Sequence, residues 1–399
     1  MYRLTNVTQN YAWGSARAIS DLLGEEPSGL PEAELWMGAH PSAPSRVGTS
    51  ADGATLLDFI SADPIGMLGA EVAARFKNRL PFLLKVLAAE KALSIQTHPT
   101  RAQAEAGFAA DNERGLAASD ASRNYVDDWP KPEILFALTD FEALAGCRTP
   151  EDAAAVLHAL AVPALEPLRQ ALAEKPEPAT VGAVLGQVLE WPEAARAGLV
   201  ADVVEACRGL AAAGGEYAAA ADAVVRVSAD HPGDLGLVAT LLLNHVVLEP
   251  GQAMFLAAGG LHAYIRGTGI ELMSNSDNVL RAGLTGKHID VAELLRITDP
   301  AVEVPVFRGR AVATGVETFD TPVPEFTLYH ADVGPESAMR VAIPGSGPRI
   351  VLALSGEVEL SGTKGKLTLT GGESCFVPAR EGAVEATGLA ELVVAAPGV

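Results

Sequence analysis

The middle of this 399-residue chain differs in composition from both of its ends. Between residues 151 and 230, 24 of the 80 residues are alanine, and leucine and valine recur at helical spacing in AAAVLHAL and DVVEACRGLAAA. Alanine and leucine at that spacing favour amphipathic helices. Residues 151–230 are therefore predicted to form a helical unit, and the flanking stretches must fold around it.

The stretches on either side of this unit are typical of strands. Residues 1–150 contain short apolar runs separated by Pro and Gly, such as PFLLKVL at 81–87 and EILFAL at 133–138. Strand signals return in LLLNHVVLEPGQAMFLAAGG at 241–260, where a Pro-Gly pair marks a turn. The helical unit is therefore expected to interrupt one β domain, formed by residues 1–150 and 231–310.

Residues 311–399 are predicted to form a second, smaller β unit. Polar and apolar residues alternate in KLTLT at 366–370, among many glycines. One spacing recurs in both β units: Gly251 precedes His262 as Gly372 precedes Ala383. The second copy lacks the histidine. The predicted fold class is mainly β with an α-helical insertion.

Charge and hydropathy exclude several classes of partner. The net charge of −21 argues against nucleic acid or an anionic membrane. The most apolar segment, 235–248, is interrupted by Asn244 and His245, and no basic start leads into an apolar stretch, so we expect neither a membrane span nor a signal peptide. Three widely spaced cysteines suit a reducing compartment. We expect a cytoplasmic monomer or weak homo-oligomer.

Side chains that suit a metal ion occur in three separated segments. Gln96 and His98 lie two apart in SIQTHP, so in a strand both face one side. Glu133 opens an apolar strand, and the polar stretch 259–290 contains His262. Two histidines, one carboxylate and one amide oxygen form a ligand set that suits zinc. Each segment alone is also compatible with an ordinary polar strand end, because no local motif joins them.

Together the segments resemble the type I phosphomannose isomerases, zinc-dependent enzymes that interconvert mannose 6-phosphate and fructose 6-phosphate. The resemblance rests on NYAWG at 10–14, ELWMGAHP at 34–41, PFLLKVL and ALSIQTHP at 81–99, KPE at 131–133, and GLHAY through SDNVLRAGLTGKHID at 260–290. It implies a cupin or jelly-roll catalytic barrel, an inserted helical domain and a C-terminal, metal-free cupin-like domain. It also implies a role in mannose metabolism and GDP-mannose biosynthesis.

The resemblance also implies a ligand set. Gln96, His98, Glu133 and His262 match the positions of the zinc ligands, so one Zn²⁺ per chain is expected. The chain departs from the family in WPKPE, where members commonly carry histidine before the lysine and this chain has Pro130.

Moving a proton between C2 and C1 of a sugar through an enediol requires a base and an electrophile at the oxygens. Glu271 and Lys131 both match residues implicated in the family and both are candidates for the base. Glu271 is preferred, because a partly closed cavity raises the pKa of a carboxylate towards neutrality. Asp277 is a candidate for opening the pyranose ring, with a turn residue in SNSDN as the alternative. Arg281 is expected to bridge sugar oxygens.

The substrate would also need a phosphate site. Arg281 and Lys287 lie six apart in an acidic chain and suit an anion, although two surface charges would give the same pattern. Lys287 is expected to bind the phosphate, with Ser94 or Lys85 as further contributors. Three more residues from matching segments are expected to line the cavity or, for the aromatic ones, simply to pack. They are Tyr264, Trp13 and Glu34.

The remaining histidines and two other functions complete the expectations. His40 is expected to support the site from behind the metal ligands. A structural or surface role is expected for the other five, which are His158, His231, His245, His288 and His330.

Two other functions compete with this one. They are an isomerase for an unphosphorylated sugar and a catalytically silent protein that binds zinc and senses a sugar phosphate. Each is disfavoured by residues that the chain retains, Arg281 and Lys287 for the first and Glu271, Lys131 and Arg281 for the second.

Overall fold

The computed structural model describes residues 1–48, 53–117, 120–335 and 339–399. Within these ranges the strands form an 11-stranded sheet and a 10-stranded sheet, called here the first and second sheets. In chain order the strands are β1 (Tyr2–Thr5), β2 (Val7–Gln9), β3 (Glu34–Met37), β4 (Arg46–Val47), β5 (Phe82–Ala89), β6 (Ile95–Thr97), β7 (Glu133–Ala137), β8 (Phe141–Cys147), β9 (Leu243–Leu248), β10 (Gln252–Leu256), β11 (His262–Ser274), β12 (Leu280–Gly283), β13 (Val306–Arg308), β14 (Arg310–Ala313), β15 (Val316–Phe319), β16 (Thr327–Val333), β17 (Arg340–Ala342), β18 (Arg349–Gly362), β19 (Gly365–Thr370), β20 (Ser374–Val377) and β21 (Glu385–Ala396).

The helices lie mainly in the alanine-rich stretch. In chain order they are α1 (Ala18–Leu23), α2 (Leu56–Ala62), α3 (Pro64–Leu68), α4 (Ala70–Arg75), α5 (Arg101–Glu113), α6 (Pro150–Leu160), α7 (Glu166–Glu174), α8 (Pro178–Leu189), α9 (Glu193–Ala213), α10 (Ala218–Val227), α11 (Gly236–Ala239) and α12 (Val291–Ile297). Helices α6 to α10 bury apolar residues such as Val156, Val181 and Val203 in one core, which also includes Leu144 of β8. The prediction of a mainly β chain with a helical insertion is confirmed. Across the described ranges, no helix combines the length and apolarity needed to cross a membrane.

The first sheet is built around the long strand β11. From Gly267 onward β11 pairs with β5 and β7, whereas its start pairs with β6 and β8. A register shift between Tyr264 and Arg266 separates the two halves, as a β-bulge does when it bends a strand. The strand order runs from β13 to β2 without closing, within the residues described. The structure therefore has an open sheet where a closed barrel was expected. Strand β11 changes partner strands along its length and does not complete a ring.

The second sheet contains most of the C-terminal strands and two short strands from the N-terminal part of the chain. Strand β1 pairs with β20, placing Tyr2 opposite Phe376, and β4 pairs with β1. Two strands from the predicted first domain thus belong to the second sheet. The three-part division of the chain stays a prediction, and this pairing crosses its boundaries.

Candidate active site and metal centre

Three buried side chains meet where strands of the first sheet begin or end. His98 follows β6, while Glu133 and His262 begin β7 and β11, and their ligand atoms all lie within 4.8 Å of one another. The Nε2 atoms of His98 and His262 lie 3.3 and 3.2 Å from Oε2 of Glu133. Each residue is at most 1% exposed. A group of this composition and spacing could hold a metal ion.

The hydrogen bonds of both histidines suit a metal. Nδ1 of His98 lies 2.8 Å from the carbonyl oxygen of Asn278, and Nδ1 of His262 lies 3.3 Å from that of Gly260. Because a carbonyl only accepts, Nδ1 donates in each ring, and Nε2 is the atom of each ring that faces Glu133. Burial lowers the pKa of His98 to about 4, so this ring is neutral at pH 7. Both Nε2 atoms and Oε2 of Glu133 are buried without a hydrogen-bond partner, and a bound cation would satisfy them.

Glu133 is held in its charged form. Burial alone would raise its pKa, but the ammonium group of Lys131, with Nζ 2.8 Å from Oε1, holds the pKa well below its usual range. Gln96 lies opposite His262 on one neighbouring strand and opposite Arg281 on the other. Directly opposite residues share a face of a sheet, so Gln96 lies beside the metal group. The structure therefore brings the four expected ligands into one region.

A cavity of about 650 Å³ adjoins this group. Its wall combines residues from both halves of the first sheet and from the loop after β12. Eleven of the residues expected at the site line it, and these are Trp13, Glu34, Lys85, Ser94, Gln96, Lys131, Glu133, Tyr264, Glu271, Arg281 and Lys287. His98 and His262 lie behind the wall.

Glu271 is held by a buried network in this wall. Lys85 lies opposite Glu271 on the neighbouring strand, and its Nζ is 2.8 Å from Oε2 of Glu271 and 3.3 Å from Oε1 of Glu34. The hydroxyl of Tyr264 donates to Oε1 of Glu271 at 3.0 Å. Trp36 Nε1 donates to the other oxygen of Glu34 at 2.8 Å. Both oxygens of Glu271 therefore have a fixed donor.

The charges in this network have different consequences. Burial raises the pKa of Glu271, and the carboxylates of Glu133 and Glu34 add to that rise against the opposing charge of Lys85. Burial would lower the pKa of Lys85, but Glu271 and Glu34 raise it overall. Lys85 is therefore a charged side chain already paired with two carboxylates. This geometry does not support the expected contribution of Lys85 to a phosphate site and favours a role in holding Glu271.

Arg281 and Lys287 provide the unpaired positive charge of the cavity. Neither side chain makes an ion pair or hydrogen bond within the described parts of the chain. The charge of Arg281 is the main reason that the pKa of Lys287 is lowered, so the two cations lie close together. Their loop is held by a close backbone contact: a Cβ on Gly283, whose φ is +139°, would lie 2.4 Å from Cα of Gly236. Only glycine fits there.

Comparisons with known proteins identify the family of this chain. Residues 1–150 match the family model of the type I phosphomannose isomerase catalytic domain, and residues 316–397 match that of the mannose-6-phosphate isomerase cupin domain. Mannose-6-phosphate isomerase of Escherichia coli is 38% identical over 392 residues, 97% of each chain. That of Salmonella typhimurium is 39% identical, with 98% of each chain covered. This chain belongs to the type I phosphomannose isomerases.

Solved structures of phosphomannose isomerases share the fold over the whole chain. A mutant of the Salmonella typhimurium enzyme superposes with a TM-score of 0.90 at 35% identity and full coverage of both chains. A mannose 6-phosphate isomerase bound with zinc and yttrium gives a TM-score of 0.88, also at 35% identity and full coverage. The family and the enzyme class, an aldose–ketose isomerase, are confirmed, as is a cupin domain.

Asp277 is not among the residues that line the cavity of this phosphomannose isomerase. Its Oδ2 lies 3.3 Å from Nε2 of His40, whose Nδ1 accepts from the backbone N–H of Ser42. His40 therefore carries its hydrogen on Nε2 and directs it at Asp277. The backbone N–H of Asp277 donates to Asp127 at 2.8 Å, as expected of a turn residue. The structure thus brings His40 to Asp277 rather than to a metal ligand.

The segment that departs from the family pattern is anchored to the end of β11. Ser274 donates its hydroxyl to the carbonyl oxygen of Pro130 and its backbone N–H to that of Pro132. Lys131, which lies between the two prolines, and Glu133, which follows them, form an ion pair. The proline therefore leaves the adjoining site residues in place.

Two residues at the site, Asn278 and His231, were not expected there from the sequence. Asn278 is fully buried, and it joins His98 to the loop before β7 by donating to the carbonyl oxygens of Asp127 and Trp129 at 2.8 Å. The polar run SDN was the available signal, but only Asp277 was singled out from it. His231, for which a structural or surface role was expected, lines the cavity. It follows α10, so only the docking of the helical unit brings it there.

Proposed function

We infer that this phosphomannose isomerase reversibly interconverts D-mannose 6-phosphate and D-fructose 6-phosphate by moving a proton between C2 and C1. One observation carries the inference. The buried group of His98, Glu133 and His262 has unsatisfied ligand atoms and adjoins a cavity that also holds Glu271 and two unpaired cations. A metal site, a candidate base and an anion site are the three parts that the reaction requires.

We propose that Gln96, His98, Glu133 and His262 hold one Zn²⁺ per chain. Two neutral imidazoles, an amide oxygen and one carboxylate leave a bound zinc ion with net positive charge. When bound, the ion supplies Lewis-acid polarisation of the sugar oxygens at C1 and C2. The carbonyl groups of Asn278 and Gly260 orient the two histidines for this task.

Glu271 is our candidate for the base that removes the proton from C2 and returns it at C1. Lys85 and Tyr264 fix its two oxygens, and burial raises its pKa. Lys131 is the alternative, and it also lines the cavity. Its ammonium group lies 2.8 Å from Oε1 of Glu133 and is paired with it, whereas Glu271 is outside the ligand group.

The cations and polar residues of the cavity would hold the rest of the substrate. Arg281 is proposed to bridge sugar oxygens, and Lys287 with Ser94 to bind the phosphate. Trp13, Glu34 and Tyr264 would shape the wall. The ring-opening role of Asp277 has the least geometric support, because its carboxylate pairs with His40 outside the wall.

Several expectations stay predictions. The family implies a sugar-phosphate substrate. The acidic charge supports the expectation that nucleic acid is not a partner. A monomer or weak homo-oligomer, a cytoplasmic location and a role in mannose metabolism and GDP-mannose biosynthesis are predicted on the grounds given above.

A coupled assay for fructose 6-phosphate formed from mannose 6-phosphate tests the function. We would run it on protein as purified, after chelation and after restoring zinc, with free mannose as the unphosphorylated control. Activity should disappear with chelation and return with zinc, and free mannose should be a poor substrate. Folded, zinc-loaded protein without activity would contradict the isomerase and favour a sugar-phosphate sensor.

A further inference from the structure

A second cavity lies against the back of the cations that line the first. Its volume is about 400 Å³, and it shares Arg281, Gly286 and Lys287 with the first cavity. Arg123, His288 and Asp290 are among the residues that complete its wall. The proposed reaction uses only the first cavity, so the second has no role in it.

The second cavity has a positive excess in a chain whose net charge is −21. Among the residues that the structure describes, three cations line it against one carboxylate, that of Asp290. The oxygens of Asp290 already accept hydrogen bonds, Oδ1 from the backbone N–H of Glu293 at 3.0 Å and Oδ2 from the side-chain amide of Asn124 at 2.9 Å. Asp290 therefore serves the start of α12 and the neighbouring loop rather than the cations.

Arg123 adds a fixed positive charge to this wall. Its guanidinium donates to the carbonyl oxygens of Tyr125 and Leu116 at 2.7 and 2.6 Å and to the side chain of Asn112 at 2.7 Å. All three acceptors are neutral, so they hold Arg123 in place without cancelling its charge. Arg281 and Lys287 have no ion pair within the described ranges, and their mutual repulsion lowers the pKa of Lys287. An anion between these groups would relieve that repulsion.

We propose that the second cavity binds a second phosphoryl anion, separate from the phosphate of the substrate. Clustered guanidinium and ammonium groups match a doubly charged tetrahedral oxyanion, and His288 is an exposed further donor. Inorganic phosphate and the phosphate of a small phosphorylated metabolite share this chemistry. Both cavities draw on Arg281 and Lys287, so an anion in the second cavity weakens binding of the substrate's phosphate in the first. The second anion has no part in the isomerase reaction, but its binding can be detected as inhibition of that reaction.

The kinetic test compares His288→Glu with His158→Glu. Both change the chain by the same charge, but His158 lies on the exposed side of α6, outside both cavities. The measured quantity is the inhibition constant of inorganic phosphate divided by KM for mannose 6-phosphate. An effect on Arg281 or Lys287 alone would change both constants alike and leave the ratio unchanged. We expect the ratio to rise about threefold to tenfold in His288→Glu, because the added carboxylate would repel the bound anion at close range in a partly exposed site. The ratio should stay unchanged in His158→Glu.

A binding experiment keeps this proposal separate from the proposed function. Calorimetric titration of the zinc-loaded wild-type protein with inorganic phosphate should give two sites per chain, the second filled more weakly because both use Arg281 and Lys287, and His288→Glu should give one. Titration with fructose 6-phosphate then distinguishes the sources, since a second site for it as well would identify phosphorylated metabolites as ligands. A single phosphate site in the wild type, or an unchanged kinetic ratio, overturns the proposal. Two sites on a protein without isomerase activity would contradict only the proposed function.

Discussion

The two β units of this chain differ in what fills their interiors. Charged and metal-ligating side chains such as His98, Glu133 and Glu271 are buried in the first sheet, each at most 3% exposed. The core of the second sheet is a cluster of apolar side chains in which Leu360 and Leu369 are fully buried, and the described residues bring no group of metal ligands together there. Burying charge disfavours folding unless each group finds a partner, whereas burying leucine stabilises the fold. The first unit is therefore built for chemistry and the second for stability.

The difference arises on a shared backbone pattern. Gly251 and Gly372 adopt φ values of +82° and +86°; Gly251 directly precedes β10, and Gly372 lies two residues before the start of β20. Glycine adopts this conformation without steric cost, so both turns have the same residue. At the same distance downstream, the first unit has the buried His262 and the second has the exposed Ala383. Similar turns thus lead to different chemistry because the side chains that follow them differ.

The largest expected effect comes from removing a ligand in the first unit. His262→Ala deletes one of three clustered ligand side chains, so bound zinc should fall well below one per chain. Isomerase activity should fall by a factor on the order of 10⁴, because polarisation of the sugar oxygens is lost. Metal analysis and the coupled assay measure both effects.

The matched variant in the second unit is Ala383→His. We expect it to gain no zinc, because the group of possible metal ligands found among the described residues lies in the first unit, and one added histidine does not form a site. Two zinc ions per chain in this variant would show that the second unit retains a metal site, and the comparison would fail.

Removal of the candidate base tests the charged interior directly. Glu271→Gln should lower kcat about 10² to 10⁴-fold while zinc stays bound, because the side chain is outside the ligand group. A substrate deuterated at C2 reports the proton transfer itself. If Glu271→Gln still exchanges this deuterium and Lys131→Met does not, Lys131 is the base.

A core truncation in the second unit should affect stability and spare catalysis. Leu360→Ala leaves a cavity in a fully buried site and should lower the free energy of unfolding by about 2–5 kcal/mol. Urea denaturation measures the loss, and KM for mannose 6-phosphate should match that of the wild type at low temperature. A higher KM in the folded variant would mean that the two units are coupled and would contradict the division of roles.

The smallest effect is expected where the helical unit meets the first sheet. Glu142 on β8 is bonded by His245 and by Arg226 of α10, with Arg266 at 3.6 Å. Burial would raise its pKa, but His245 and Arg226 lower it from 4.5 to about 2. Glu142→Gln should destabilise the protein by about 1–2 kcal/mol at pH 7.

The pH dependence of this contact provides its control. The folded pKa of Glu142 lies below its ordinary value, so its stabilisation is fully present above pH 4.5 and is lost as the pH falls towards about 2. The difference between wild type and Glu142→Gln should therefore shrink over that range in thermal denaturation. A difference that stays constant below pH 4.5 would assign the effect to packing.

The helical unit was predictable from the sequence, but the open shape of the first sheet was not. The alanine-rich stretch predicted helices at 151–230, and α6 to α10 span Pro150 to Val227. Composition suffices there because helix formation depends on residues three and four apart. The predicted closed barrel is wrong, because β11 changes partner strands after Tyr264. The choice of partner strand depends on contacts between residues far apart in sequence.

Local sequence was enough to identify helices and strands, because each depends on residue type and on near neighbours along the chain. The four candidate ligands lie in separated segments, so they were expected as a set only from the resemblance to the family. Tertiary structure alone paired Lys85 with Glu271 instead of leaving it for a phosphate. It also brought His231 to the cavity wall and placed Arg281 between two cavities. A side chain's charge is written in the sequence, but its electrostatic partner is the nearest group in space, and that distance exists only once the sheet has folded.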